Sequence, residues 1–170
     1  MPAPLRGARP GFGCVCEYSP NKLGRPISGC PNLLGVMVLF ITTKQCNIKV
    51  FAWVILSNHY HLLIHVRKKN DLVRFIKSFH GKSAIEFNRL DSRLGRKVWA
   101  NYWDHGIRNA ADFWKHFNYI HHNPIKHGYS SNMQDYQFSS YNEWITKKGV
   151  EWIESCFSSY PIADFTSTEL

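Results

Sequence analysis

His59 and His61, separated only by Tyr60, are the first residues whose type and spacing could do chemistry. Residues 49–56 are rich in β-branched and aromatic side chains, Ser57-Asn58 has turn character, and the strand pattern resumes from His59 to Val66. This predicts an antiparallel hairpin. Side chains alternate along a strand, so His59 and His61 project from one face, and Tyr60, Leu62, Ile64 and Val66 from the other. Same-face neighbours lie roughly 6.5–7 Å apart at the backbone, a gap that two imidazoles can close around one metal ion. The same H-x-H pattern also occurs as a hydrogen-bonded surface pair. All nine histidines fall between His59 and His127, so metal-binding and titratable groups concentrate in the middle of the chain.

A later helix supplies complementary groups. Asn109 has the chemistry of an N-cap and Asp112 suits the first turn. Pro124 disfavours helical geometry in the residue before it, which predicts an end near Asn123. Phe113, Phe117 and Ile120 follow core spacing, whereas Asp112, His116, Tyr119 and Asn123 share a second, polar face. Tyr119 and Asn123 thus stand one turn apart. A phenol with an amide oxygen beside it, facing a histidine pair, can serve as a nucleophile next to a metal ligand. By periodicity alone a tyrosine at position 119 is more often a packing residue, and an asparagine before Pro124 more often a helix terminator.

The remaining elements must position these groups. Residues 1–31 carry six interspersed prolines after Met1 and read as a poorly structured arm. Leu33–Thr43 is an apolar run compatible with a buried helix or a strand. A helix is predicted from Asp71 to about Leu90, capped by Asn70, with Leu72, Phe75, Ile76 and Phe79 on its apolar stripe. Val98–Ile107 reads as a short strand or an irregular aromatic segment. Beyond Gly128, aromatic side chains such as Tyr136, Trp144 and Trp152 anchor a closing segment.

With 15% aromatic and 19% charged residues, wholesale disorder is excluded. No apolar segment approaches the roughly 18 residues of a membrane span, so no membrane partner is expected. Lys and Arg total 21 against 12 for Asp and Glu, a balance suited to a polyanion, with nucleic acid first. The excess concentrates between Arg67 and Lys97, where only Asp71, Glu86 and Asp91 oppose it. The five cysteines form no C-x-x-C pair and no disulfide framework, and the amino terminus lacks signal-peptide character. A cytoplasmic location is the expectation.

The stretch Phe51–His65, F-A-W-V-I-L-S-N-H-Y-H-L-L-I-H, resembles the HUH segment of single-tyrosine transposases, especially the REP-associated tyrosine transposases. The stretch Tyr102–Gly128, with D-H-G-I-R and then Y-I-H-H-N-P-I-K, is similar to that group's second motif pair. With Phe138–Tyr141 the resemblance covers roughly Lys49 to Tyr141. It implies an α+β, ferredoxin-like antiparallel sheet with helices on one face (the HUH fold). Met1–Pro31 does not match that fold's opening strand, so the first strand is expected to be missing. The implied division is an arm over 1–31, an HUH transposase-like catalytic domain over 32–145 and a carboxy-terminal extension over 146–170.

Carried across by position, the resemblance makes Tyr119 the nucleophile and His59, His61 and Asn123 the ligands of Mg²⁺ or Mn²⁺. The implied reaction is cleavage and rejoining of single-stranded or hairpin DNA by transesterification, through a 5′-phosphotyrosine and a released 3′-hydroxyl. Arg74, Lys77, Lys82, Arg96, Lys97, Arg108 and Lys126 are the expected DNA contacts. Trp99, Tyr102 and Trp103 could stack on unpaired bases or pack in the core. Tyr102 and Tyr129 are fallback nucleophiles without an amide partner four residues on. Monomer and homodimer are both compatible with these motifs. The alternative reading is a catalytically degenerate protein that binds DNA hairpins without cutting.

Overall fold

The computed structural model describes residues 13–15, 31–100 and 102–162. Its centre is an antiparallel hairpin of β2 (Lys49–Ile55) and β3 (Tyr60–His65), with Ile55 opposite Tyr60 and Val54 opposite His61. The Leu56 N–H donates to the His59 carbonyl at 2.8 Å, which closes the hairpin around Ser57 and Asn58. This is the predicted two-residue link. β1 (Gly13–Val15) pairs antiparallel with β3, giving the order β1-β3-β2. The arm therefore contributes a short strand where none was expected. Three residues among prolines and glycines carry too little pattern to reveal a strand; β3 supplies the pairing partner. On the far side of β2, Val54 bridges to Ser139, with further backbone bonds from Ile55 to Phe138 and from Ser140 to Trp53.

Helices cover both faces of this sheet rather than one. The physical reason lies in β2, which is buried without interruption from Phe51 to Ile55 and so must be covered twice. On one face Trp53, Ile55, Tyr60, Leu62 and Ile64 pack with α1 (Pro31–Cys46) and α2 (Lys69–Leu90). On the other, Ala52, Val54, Leu56 and Leu63 pack with α3 (Ala110–Lys126). A bulge between Val50 and Ala52 brings Phe51 into this second cluster as well.

The apolar run that periodicity left open is helix α1. Pro31 starts it and Asn47, at φ 54°, ends it in the left-handed region that asparagine tolerates. Gly35 faces Ile55, where an added Cβ would stand 3.2 Å from Cγ2, so the absent side chain lets α1 approach β2 closely. α2 begins at Lys69 with Lys68 as its N-cap, so Asn70 lies inside the first turn rather than capping it. Its expected apolar stripe is buried at Leu72, Phe75, Ile76 and Phe79.

α3 opens as predicted, with the Asn109 side chain accepting from the Asp112 N–H at 2.9 Å. It does not stop at Asn123. Pro124 lies inside the helix, which runs on to Lys126 before Gly128 turns away at φ 69°. Proline removes one amide donor, but the end of the helix is held by other backbone bonds: the His127 N–H donates to the Asn123 carbonyl at 3.0 Å, the Gly128 N–H to the Ile125 carbonyl at 3.0 Å and the Tyr129 N–H to the Pro124 carbonyl at 2.8 Å. α4 (Tyr141–Lys148) and α5 (Val150–Ser159) follow, joined at Gly149 with φ 90°. α5 buries Ile153 and Cys156 completely, and the Asn118 amide of α3 donates to the Cys156 and Tyr160 carbonyls at 3.0 and 2.7 Å. No helix among the described residues is long and apolar enough to cross a membrane.

Candidate active site

The period-two face of β3 and the polar face of α3 meet. His59 and His61 lie with ring centroids 5.1 Å apart and planes perpendicular. The Tyr119 ring stands 5.5 Å from His61, edge-on, and is 4% exposed. Asn123 is fully buried and donates from its amide nitrogen to the Tyr119 carbonyl at 3.2 Å. That bond anchors the amide nitrogen to the helix and leaves the oxygen as the group available for another partner.

Beyond the Asn123 side chain, which lies beside both imidazoles, the ligand-type atoms at this junction lack close protein partners. His59 Nε2, both ring nitrogens of His61 and Asn123 Oδ1 are buried and have no hydrogen-bond partner among the described residues. Such groups are costly to bury unless something else satisfies them. His59 Nδ1 lies 2.7 Å from Asn58 Oδ1, an acceptor, so that nitrogen carries the proton and Nε2 presents its lone pair. Fixing the far nitrogen of an imidazole through a hydrogen bond is how ligating histidines are commonly oriented. The two imidazoles and the amide oxygen therefore fit a divalent cation.

Electrostatics favour the neutral imidazoles that a ligand role requires. Burial pushes the pKa of His59 down to about 4; His127 adds to the shift and the Asn123 amide opposes it. His61 is held well below the usual histidine range by burial, with His59 and His127 contributing in the same direction. His127 stacks edge-on against His59 at 4.7 Å and brings a third imidazole to the site. Lys126 places Nζ 3.5 Å from the Tyr119 hydroxyl and 5.0 Å from the ring centroid. Lys126, expected as a DNA contact, stands at the phenol, and His127 joins it without any signal in the local pattern. Both follow from the extra turn of α3 beyond Pro124, with Lys126 seven residues after Tyr119 and His127 four after Asn123.

A second cluster braces the start of α3. Asp112 Oδ2 accepts from the Arg108 N–H at 2.9 Å and lies 3.2 Å from His105 Nε2, while Oδ1 lies 3.0 Å from His116 Nδ1. Donor atoms of the three side chains all fall within 4.8 Å of one another, so the set has cation-holding types as well. Burial opposes ionisation of Asp112, but the Arg108 N–H and His105 outweigh it and hold the carboxyl below its usual range. Asp112 thereby ties the Asp104–Arg108 segment to the helix that carries Tyr119. Asp112→Ala should cost about 1 kcal/mol in urea unfolding, because it takes the carboxylate from His105 and from the exposed Arg108 N–H while His116 Nδ1 keeps its 2.8 Å bond to the Asp112 carbonyl. A loss within ~0.5 kcal/mol would mean that the clamp contributes nothing.

The seven expected DNA contacts separate. Arg74 and Lys77 are exposed on α2 and share one open face of that helix with Asn70, Val73 and Ser78. Lys97 and Arg108 are exposed, Lys82 bonds Gln45, and Lys126 stands at the phenol. Arg96 is committed to the fold: its guanidinium pairs with Asp91 at 2.7 Å and donates to Asn88 Oδ1 at 3.0 Å.

The sequence pattern of the family described as Transposase IS200 like matches residues 37–123, a span that contains the hairpin, α2 and α3 as far as Asn123. The chain belongs to this family. It is 28% identical over 101 residues to a REP-associated tyrosine transposase of Escherichia coli, covering 58% of each chain. It is also 28% identical over 111 residues to a putative REP-associated tyrosine transposase of Haemophilus influenzae, covering 59% of this chain and 63% of that one. The match therefore spans less than two thirds of either curated relative. Among solved structures, a REP-associated tyrosine transposase bound to a REP hairpin superimposes with a TM-score of 0.67 at 20% identity, over 86% of this chain and 87% of that one. That likeness establishes a common fold: this IS200-like chain has the α+β architecture of a REP-associated tyrosine transposase.

Proposed function

We propose that this IS200-like transposase binds single-stranded or hairpin DNA and cleaves and rejoins it through Tyr119. The observation that carries the reading is the junction itself: ligand-type atoms of His59, His61 and Asn123 converge where Tyr119 enters from α3. Membership of a transposase family supplies the substrate class, and the solved relative's hairpin complex supports a hairpin as the form of DNA.

In this reading the Tyr119 oxygen attacks a backbone phosphorus. A Tyr–O–P bond forms, the bond to the 3′ oxygen breaks, and the strand leaves as a 3′-hydroxyl that carries, in net terms, the proton given up by the phenol. The phosphodiester energy is conserved in the phosphotyrosine, so an incoming 3′-hydroxyl reverses the step without ATP. Mg²⁺ or Mn²⁺, held by His59, His61 and Asn123, would supply neutralisation of phosphate charge. Imidazole donors suit Mn²⁺, and the oxygen of Asn123 and phosphate suit both ions. Lys126 donates to the phenol oxygen and fixes its orientation. The scaffold does the rest: Phe113, Phe117 and Ile120 lock α3 onto the sheet, so the phenol meets the imidazoles at a set distance.

Incubating the protein with hairpin oligonucleotides and Mn²⁺ or Mg²⁺ should yield a covalent protein–DNA adduct that survives denaturing electrophoresis. Chelation with EDTA should suppress it at least about a hundredfold while leaving binding measurable. Tight, salt-dependent binding without an adduct under either metal would establish the degenerate, binding-only alternative instead.

A further inference from the structure

The cluster that braces the start of α3 lies outside the chemistry of Tyr119, and its donor set is that of a transition-metal site. His105 Nε2 lies 3.2 Å from Asp112 Oδ2. His116 Nδ1 lies 3.0 Å from Oδ1 of the same carboxylate and 2.8 Å from the Asp112 carbonyl. The two imidazoles stack nearly parallel, with centroids 4.9 Å apart and planes at 19°. Both of these nitrogens face oxygen acceptors, so each carries a proton, and two N–H groups bracket one carboxylate. A cation can take the place of those protons. Each neutral imidazole then shifts its proton to its other ring nitrogen and presents a lone pair, with no net proton released. His116 exchanges its bond to the Asp112 carbonyl for a bond to the metal.

The donor types select the ion. Two imidazole nitrogens and a carboxylate suit Zn²⁺, whereas Mg²⁺ and Ca²⁺ take shells of oxygen. The separations of 3.0 and 3.2 Å between carboxylate and imidazoles match the roughly 3.3 Å edge of a tetrahedron around Zn²⁺. All three donor atoms fall within 4.8 Å of one another, and His105 stands on the non-helical segment before α3, free of the helix geometry that fixes the other two. The Arg108 N–H on Oδ2 gives the carboxylate the outer hydrogen bond that ligating carboxylates carry. His105 and Asp112 are partly open to solvent, so an ion can enter and water can complete the shell. We propose that His105, Asp112 and His116 form a Zn²⁺ site that pins residues 104–108 to the first two turns of α3. Asp112 precedes Tyr119 by seven residues, about 10 Å along the helix, so this ion is separate from one held by His59, His61 and Asn123. The inference does not depend on the DNA-cleaving reading.

The test titrates Co²⁺, as a visible probe, into the metal-free full chain and then displaces it with Zn²⁺. A chain carrying both His59→Ala and His61→Ala should still bind one Co²⁺ with the absorption of a tetrahedral nitrogen–oxygen shell, and Zn²⁺ should bleach it. Adding His105→Ala should weaken that binding at least about a hundredfold, more than the loss of an outer-shell partner costs. Zn²⁺ at about a hundredfold its Kd should raise the Tm of the first variant by roughly 5–10 °C and leave that of the second unchanged. Wild type against His105→Ala alone gives the same comparison should the double variant fail to fold: the single variant should bind one equivalent fewer. Equal stoichiometry and equal Tm shifts in the chains with and without His105 would overturn the site. A hairpin adduct formed by the wild type would show that the Tyr119 reading stands regardless.

Discussion

Tyr119→Phe should abolish the covalent DNA adduct while leaving hairpin binding within about twofold of the wild type. Removing a covalent nucleophile costs on the order of 10⁴-fold or more, because no other step can replace bond formation at that oxygen. The ring itself stays, so its edge-on contact with His61 and its packing on α3 persist. Loss of the hydroxyl forfeits one long contact with Lys126, at 3.5 Å, which amounts to about 0.5 kcal/mol of stability. The two fallback tyrosines serve as controls. Tyr102 lies edge-on to His80, and the Tyr129 hydroxyl is bonded to Ser57 in the hairpin turn. Tyr129→Phe and Tyr102→Phe should therefore retain the adduct. Tryptic mapping of the modified peptide decides the matter: a phosphotyrosine at position 129 or 102 would remove Tyr119 from its role.

Acid should unfold this protein well before its carboxylates titrate. Burial pushes His121 down to about 3 and His80 down to about 4, as it does His59, while His61 and His116 are also held below their usual value. The unfolded chain takes up these protons near pH 6.5, whereas the folded protein resists them until its own lowered pKa values. Between the two limits the unfolded state binds more protons, so stability rises with pH and is lost on acidification. The contribution is complete above about 6.5 and drains away as pH falls towards 4. Each such imidazole costs up to about 1.4 kcal/mol per pH unit in that window.

Several acting together exhaust the roughly 5–15 kcal/mol that holds a domain of this size. His121 illustrates the cause: it is fully buried, with Nε2 2.7 Å from Ser140 Oγ, and Ser140 Oγ already accepts from the Trp53 N–H at 2.9 Å. Asp112 acts in the same direction at lower pH, since its carboxyl is held low and its contribution is likewise lost on acidification, below the range of the histidines. Thermal melts of metal-free protein should show a Tm that is flat from pH 8 to about 7 and falls steeply below about 6. A Tm unchanged between pH 7 and 5 would mean that these imidazoles do not stay neutral in the folded state.

Periodicity carried far in the hairpin and in α3. Two-residue alternation placed His59 and His61 together, and the 3.6-residue repeat placed Asp112, His116, Tyr119 and Asn123 on one face; both arrangements are present. Periodicity could not separate helix from strand for Leu33–Thr43, because a run that is apolar on every side has no preferred face. It also could not tell Trp99, stacked on His80, from exposed Trp103, since the difference is whether a partner such as His80 waits across the chain.

Residue types and their local repeats by themselves determined the chemistry on offer: imidazole, amide and phenol donors, a basic α2, and the element bearing each. Tertiary structure alone decided that the imidazoles, the amide and the phenol stand side by side. β2 is apolar on both faces and draws α3 onto the side opposite α1 and α2, which sets Tyr119 against His61. There α3 runs one turn past Pro124, closed by backbone bonds from His127, Gly128 and Tyr129, and brings Lys126 and His127 to the site. A repeat along the chain encodes which side chains share a face; which faces meet depends on the free energy of covering apolar surface contributed by distant segments.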